Sequence, residues 1–408
     1  MTISEIVECS VCHSKYNFKI LCDHVMNHRD MPIRIGCHNC GNLMSGSISK
    51  SGITMTNALV THEESSLLQP YPCVGISLEL PIVKECYFKT GSIVNNVLLV
   101  PVYVGPKAID KHGLKMKNLE GSFYSKFNNL EILHNIKVGG NMAVFDQFAK
   151  EHFDKDDNDI TDTPNKMRLG FVNLYEQLFR HIRSHSYTMQ FCHTYLDPLF
   201  EEVRKLTPKE RNDINTTISA YMDLQRDYDE AIKLLLDFWK KRAHFYPVIL
   251  LLETGEFNKD YAGELYLSTV DYEEIKELYA NLFELLSRFS MYMVALENKQ
   301  VRGDFDLLSD GKPLSTFCSK TNGNKSEFIN SSSTLNGYYL RTLDNKIRNG
   351  IDHAKTTCDG RTQIISYFPN IKNPNDKKEI ALIDFTYIIL QQAMKLSESM
   401  LVVSIFLV

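Results

Sequence analysis

Two groups of residues in this chain have the types and spacing that chemistry requires. The first is Cys9-Ser10-Val11-Cys12 with Cys37-His38-Asn39-Cys40. A CxxC pair closes a tight turn that aims two thiolates at one point, and two such pairs supply a tetrahedral, soft-ligand set suited to zinc. Gly36 and Gly41 flank the second turn, where a tight backbone path costs glycine least. Cys22, His13 or His38 could replace one of the four. The string Cys9 to His13 also matches a c-type haem attachment sequence, but that chemistry needs export and leaves the second pair unexplained. Four thiolates fill a tetrahedral ion, so the expected zinc is structural: it staples a small module that lacks a core of its own.

The second group is Arg348-Asn349-Gly350-Ile351-Asp352-His353. On a helix, Asn349 and His353 share one face, and Arg348 and Asp352 share the next. Arg348 and His353 stand about 140° apart around an ideal helix. A histidine can exchange protons with a 2′-hydroxyl or a leaving oxygen near neutral pH. An arginine can stabilise the charge that develops on a pentacoordinate phosphorus. Asn349 could orient the phosphate or the histidine. Together these residues supply what metal-free RNA cleavage needs. They also fit a plain helix end, with Arg348–Asp352 as a surface ion pair and His353 as a cation at the negative end of the helix dipole.

Composition sets limits on both readings. The chain has 408 residues and a net charge of −5, which excludes wholesale coating of nucleic acid but not a local basic site. Residues 338 to 378 carry eight basic side chains against four acidic ones. Arg341, Lys346 and Lys355 are the basic residues nearest the motif and the expected RNA contacts. The first twenty residues hold Glu5, Glu8, Lys15 and Lys19 and no apolar run, so no secretory leader is expected. With ten cysteines and two CxxC pairs, a reducing, cytoplasmic setting with metal rather than disulfides follows. The C-terminal stretch from Ile380 is apolar but interrupted by Asp384, Lys395 and Glu398. Its uncharged end falls short of the roughly 20 residues a bilayer needs, so a core helix is expected and no membrane partner.

The elements that must carry these groups suggest an α+β, multidomain chain. Runs such as GITMTNALVTH, VGISLELPI and NNVLLVPVYV predict a β-rich domain over 1–150, with the zinc ribbon in 1–45. The acidic segment 151–166 reads as a linker, 167–267 as helical, and 268–408 as a helical bundle. Pro208 suits a helix start. A long helix is predicted over 270–299, with Asp271 as N-cap, Glu273 and Glu274 at the positive end of the dipole, and a buried stripe of Ile275, Leu278, Leu282, Leu285, Leu286 and Phe289. A polar loop over 302–335, a motif helix over 335–355, a short strand at Ile364 to Phe368 and a last helix over 377–402 follow.

The motif in this layout resembles the HEPN family (higher eukaryote and prokaryote nucleotide-binding domains). That family's signature is R-x(4–6)-H, usually with a polar residue directly after the arginine, as Asn349 is here. The resemblance covers about 268–408. It implies a helical bundle that dimerises through the motif helices, so that two Arg/His pairs form one composite site. It further implies a metal-independent endoribonuclease of toxin, antiphage or abortive-infection type, acting on RNA. His353 would be the general acid/base, Arg348 the phosphate stabiliser and Asn349 the positioning group. The N-terminal module would then be sensor or regulator, with a phage or regulatory protein as trigger. Two departures stand out: Gly350 replaces a better helix former, and Lys355 stands where a subgroup carries an adenylylated tyrosine. The alternative is a non-catalytic HEPN-like scaffold for dimerisation or nucleotide binding, whose ribbon binds nucleic acid or a protein.

Overall fold

The structure is a computed structural model that describes residues 2–21, 30–49, 52–61, 70–84, 100–152, 164–183, 193–254, 264–352, 356–370, 373 and 375–407. A strand-rich N-terminal stretch is followed by a mostly helical chain, which is an α+β arrangement at the coarse level. The chain divides into two compact units. The first is built from Met1–Gly121, Lys241–Glu277 and Asn349–Leu390, the second from Ser122–Lys240, Leu278–Arg348 and Gln391–Val408.

The first unit begins with β1 (Thr2–Cys9) and β2 (Lys15–Leu21), an antiparallel pair with Glu8 opposite Lys15. β6 (Ala58–Thr61) adds to the free edge of β1, and β7 (Cys73–Ile76) runs parallel to β2. β3 (Met31–Gly36), β4 (Leu43–Ser49) and β5 (Gly52–Met55) form a separate meander. Met31, Ile33 and Ile35 are fully buried while Arg34 between them is not, the period-2 pattern of a strand with one covered face. β8 (Ile82–Val83) pairs with β9 (Leu265–Tyr266). After the motif come β10 (Thr356–Asp359), β11 (Ile364–Tyr367) and β12 (Lys378–Ala381), an antiparallel three-stranded sheet. The short strand expected near Ile364 is therefore the middle of this sheet.

Strand character does not continue to residue 150. Val100–Val104 is helical (α1), and α2 (Pro106–Asn118), α3 (Tyr124–Val138) and α4 (Met142–His152) follow. The alternation in NNVLLVPVYV suggested a strand, but Pro101 cannot donate to a ladder, and Pro106 suits the first turn of a helix, where no donor is needed. Gly105, at φ 85°, makes the turn between the two helices. Most of the expected linker, 153–163, lies outside the described residues.

The second unit is helical. α5 (Pro164–Ile182), α6 (Asp197–Lys205), α7 (Pro208–Ser219) and α8 (Leu224–Lys240) precede the long α9 (Tyr272–Arg302), whose residues from Leu278 onward belong here. Pro208 does open α7, behind a Thr207/Glu210 capping box. On α9 the whole predicted stripe is buried, and Asp271 accepts from the Glu273 amide at 2.9 Å. Trp239 of α8 stacks on Phe127 of α3 at 3.9 Å between ring centroids.

The polar segment 302–335 is not a loop. It contains α10 (Leu314–Cys318) and α11 (Asn322–Ser332). The Thr321 hydroxyl caps α11 by accepting from the Asn324 amide, and Phe317, packed against Phe328, supplies the apolar anchor that the Gly/Ser/Asn content hides.

The motif helix is shorter than expected. α12 (Asn336–Tyr339) stops, Arg341 adopts φ 67°, and α13 (Asn345–Asp352) starts afresh. Tertiary contacts impose the break. Tyr338 and Tyr339 are both fully buried, their hydroxyls reaching Glu398 at 2.7 Å and Ser399 at 3.5 Å on the last helix, α14 (Leu382–Val403). Gln392 of α14 donates to the Thr342 carbonyl at 2.8 Å. Glu398 also receives Arg183 at 2.8 Å, and Arg183 grips Glu176 with two bonds of 3.0 Å. In a continuous helix the Thr342 carbonyl would accept from the amide four residues on, so the break leaves it open to Gln392. Asp344 then opens α13 by accepting from the Lys346 amide at 2.8 Å.

Gly350 is explained by packing in the first unit. A Cβ at this position would lie 2.8 Å from the Cβ of Tyr367 on β11, closer than non-bonded carbons approach. Gly350→Ala is therefore expected to lower the stability of the first unit by about 1–3 kcal/mol through overpacking, measured as a shifted denaturant midpoint. An unchanged midpoint would show that the helix and strand are not in this contact.

Candidate functional site

The four cysteines come together. Their sulfur atoms all lie within 4.8 Å of one another, with Cys9–Cys40 at 3.7 Å and Cys12–Cys37 at 3.5 Å. A tetrahedral zinc–thiolate site with bonds of about 2.3 Å puts its sulfurs about 3.8 Å apart, a spacing with which the cluster is compatible. No disulfide joins any described cysteine.

The two knuckles repeat one backbone design. His13 and Gly41 each donate their amide to the carbonyl four residues earlier, Cys9 and Cys37, at 3.0 and 2.9 Å. Cys9 and Cys37 each donate in turn to the carbonyl five residues later, Ser14 and Asn42. The position after each second cysteine is left-handed: φ 77° at Gly41 and φ 58° at His13. Glycine takes that conformation freely, and histidine is among the side chains that tolerate it. The His13 ring binds Glu8 through Nδ1 at 2.8 Å. Cys22 lies outside the described residues.

The surroundings answer part of the thiolate charge. The Tyr16 hydroxyl lies 3.0 Å from the Cys37 sulfur, and burial together with that contact pushes the phenol up, so it stays protonated and donates. The Asn42 amide donates to Cys9 at 3.5 Å. The hydrogen bond between Cys12 and the Ser14 hydroxyl, at 3.3 Å, draws the Cys12 thiol down to about 6. Cys40 goes the other way: the Asn42 backbone amide lowers it, but burial and the Cys12, Cys37 and Cys9 thiols push it up to about 12. Four thiolates at this spacing need a cation.

The second group divides. Arg348 ends the middle segment of the second unit, and Asn349 opens the last segment of the first. In the second unit the Arg348 guanidinium binds one oxygen of Glu284 on α9, with Nε at 2.9 Å and Nη2 at 2.6 Å. Asn322, at the start of α11, donates to the other Glu284 oxygen. The α11–α13 approach is close: a Cβ at Gly323 would lie 2.5 Å from the Asn345 side-chain oxygen. Asn349 is half-buried, and His353 and Lys355 lie outside the described residues, as does the Asp352 side chain. Lys346 is exposed and Arg341 is half-buried.

The basic excess is locally answered. Arg361 lies 3.9 Å from Asp359, Lys377 2.6 Å from Glu379, and Lys378 3.4 Å from Asp376. One described helix, Leu382–Leu407, is long and apolar enough to cross a membrane, and 83% of its apolar 18-residue window is buried inside the fold.

Sequence reasoning missed Glu284, Asn322, Tyr16 and Asn42. Glu284 is one of many glutamates on the polar side of α9, and its partner is 64 positions away, so no local pattern marks it. Tyr16 and Asn42 could have been found, since each follows a knuckle by a few residues.

Compared with family models, with curated proteins and with solved structures, the chain gives no match.

The cluster predicts one bound metal per chain. Cys12→Ser and Cys37→Ser should each release it, read as loss of metal in the purified protein, whereas His13→Gly should keep it. Retention of a full equivalent by both cysteine variants would contradict the assignment.

Proposed function

We propose that the chain is a HEPN-type endoribonuclease that acts as a homodimer, with a structural zinc ion on Cys9, Cys12, Cys37 and Cys40. The observation that carries this reading is the aim of Arg348. A guanidinium held along its Nε edge by a carboxylate, itself fixed by Asn322, is pre-organised to meet a phosphate, and pre-organised charge is the largest source of catalytic power at such sites. Glu284 is then a positioning residue.

In the proposed reaction His353 takes the proton of an RNA 2′-hydroxyl. The 2′-oxygen attacks the adjacent phosphorus, and the bond to the 5′-oxygen breaks. The leaving oxygen takes its proton from the His353 of the second copy. Arg348 stabilises the charge on the non-bridging oxygens, and Asn349 orients the phosphate or the imidazole. The products carry 2′,3′-cyclic phosphate and 5′-hydroxyl ends. Lys346, Lys355 and Arg341 would contact the RNA backbone. A role in phage defence or as a toxin, triggered through the N-terminal module, belongs to the same proposal.

A second reading draws on the same ion pair. Arg348 joined to Glu284 also serves a non-catalytic scaffold, in which the pair only ties α13 to α9. Purified chain incubated with RNA separates the two. The nuclease reading expects cyclic-phosphate ends, loss of cleavage by roughly 10²-fold or more in His353→Ala and Arg348→Ala, and a smaller loss in Glu284→Gln. Absence of cleavage in the parent, or parent-like cleavage in both alanine variants, favours the scaffold.

A further inference from the structure

The four-cysteine centre is built into the first unit at one point where no side chain can intervene. Gly36, directly before the ligand Cys37, meets the turn between β10 and β11 backbone to backbone. A Cβ on Gly36 would lie 2.2 Å from the Gly360 carbonyl carbon and 2.6 Å from the Arg361 amide nitrogen. A Cβ on Gly360 would lie 3.3 Å from the Gly36 Cα. Glycine on both sides makes this approach possible.

The same three segments are tied together again on either side of the contact. From β3, the Arg34 amide donates to the Ser268 carbonyl at 2.8 Å, and the Arg34 guanidinium binds Asp271 at 2.9 Å, at the start of α9. From the hairpin, the Gln363 side chain accepts the Leu267 amide at 2.7 Å and donates to the Leu267 carbonyl. The segment 267–271 is thus gripped by the cysteine module from one side and by the hairpin from the other. Gln363 holds φ 53° to do so, and its carbonyl accepts from Leu382 at the head of α14.

The hairpin itself is small. β10 is four residues long with alternating half-buried and exposed side chains, and only Ile365 and Tyr367 of β11 are buried. A two-strand ribbon of this size is marginal alone, and one further short strand, β12, completes its sheet. Thr356, its first residue, stands three positions after His353 in the chain.

We propose that metal on the four cysteines keeps the β10–β11 hairpin ordered, through the Gly36–Gly360 contact, and that the centre thereby controls the segment that begins at Thr356. This rests on the metal reading of the cysteines and not on the nuclease reading. Loss of metal frees the knuckle at Cys37, the Gly36 backbone moves, and the hairpin turn loses the surface it lies on.

Hydrogen–deuterium exchange on the full chain tests this, with metal content measured on the same samples. Chelation should speed exchange in peptides covering Thr356–Tyr367 by about tenfold or more, while peptides from Leu224–Lys240 in the second unit keep their protection. Two variants approach the contact from opposite sides. Gly360→Val and Gly36→Ala should raise hairpin exchange in protein that still carries metal, and the Gly360 variant should keep its full equivalent. Unchanged hairpin exchange after chelation overturns the proposal. So does loss of protection throughout the chain, which would make the metal a general staple. A chain that takes up no metal overturns the metal reading and this inference together, whatever its action on RNA.

Discussion

Four thiols whose sulfurs lie within 4.8 Å of one another cannot all be charged unless a cation sits among them. Much of the first unit follows from that constraint. The strands that deliver the cysteines are short: β1 and β3 run eight and six residues and each ends at or just before a knuckle. The hydrogen bonds that close the knuckles, and the left-handed residue after each, set the direction in which the chain leaves. In the second knuckle that direction brings Asn42 into reach of Cys9 and starts β4, the middle strand of its meander. The knuckle hydrogen bonds and a buried set that includes Ile6, Phe18, Ile33 and Ile35 position the four cysteines together.

The second unit solves a different problem by tertiary means. Tyr338, Tyr339 and Thr342 are fixed against α14, and Glu284 and Asn322 fix Arg348. The chain is therefore held both before α13 and within its first half. A short helix anchored in this way keeps its arginine in one orientation at little further entropic cost, which is what a phosphate-binding group needs. Gly350 has a separate reason in the first unit: Tyr367 fills the space that a side chain would need.

How much of this was legible in the sequence depends on whether the signal was local. The CxxC pairs were readable because ligand spacing is itself the geometry. The N-cap at Asp271, Pro208 behind its capping box and the stripe along α9 were readable because caps and periodicity are written within a few residues. The break at Arg341 was not, because the left-handed residue there and the Gln392 bond to the Thr342 carbonyl, 50 positions away, leave no local mark. α11 was hidden by a polar composition whose one useful mark was Thr321 before Asn324. Val100–Val104 misled in the opposite direction, since its valines suit a strand while Pro101 and Pro106 do not. Glu284 and the Gly36–Gly360 contact join residues far apart in the chain, and nothing near either of them says so.

The measurement that bears most directly on this account is X-ray absorption at the zinc edge of the purified full-length chain. Four sulfur neighbours at about 2.3 Å are predicted. A shell with nitrogen or oxygen donors, or a protein without bound metal, would contradict the premise from which the first unit has been explained.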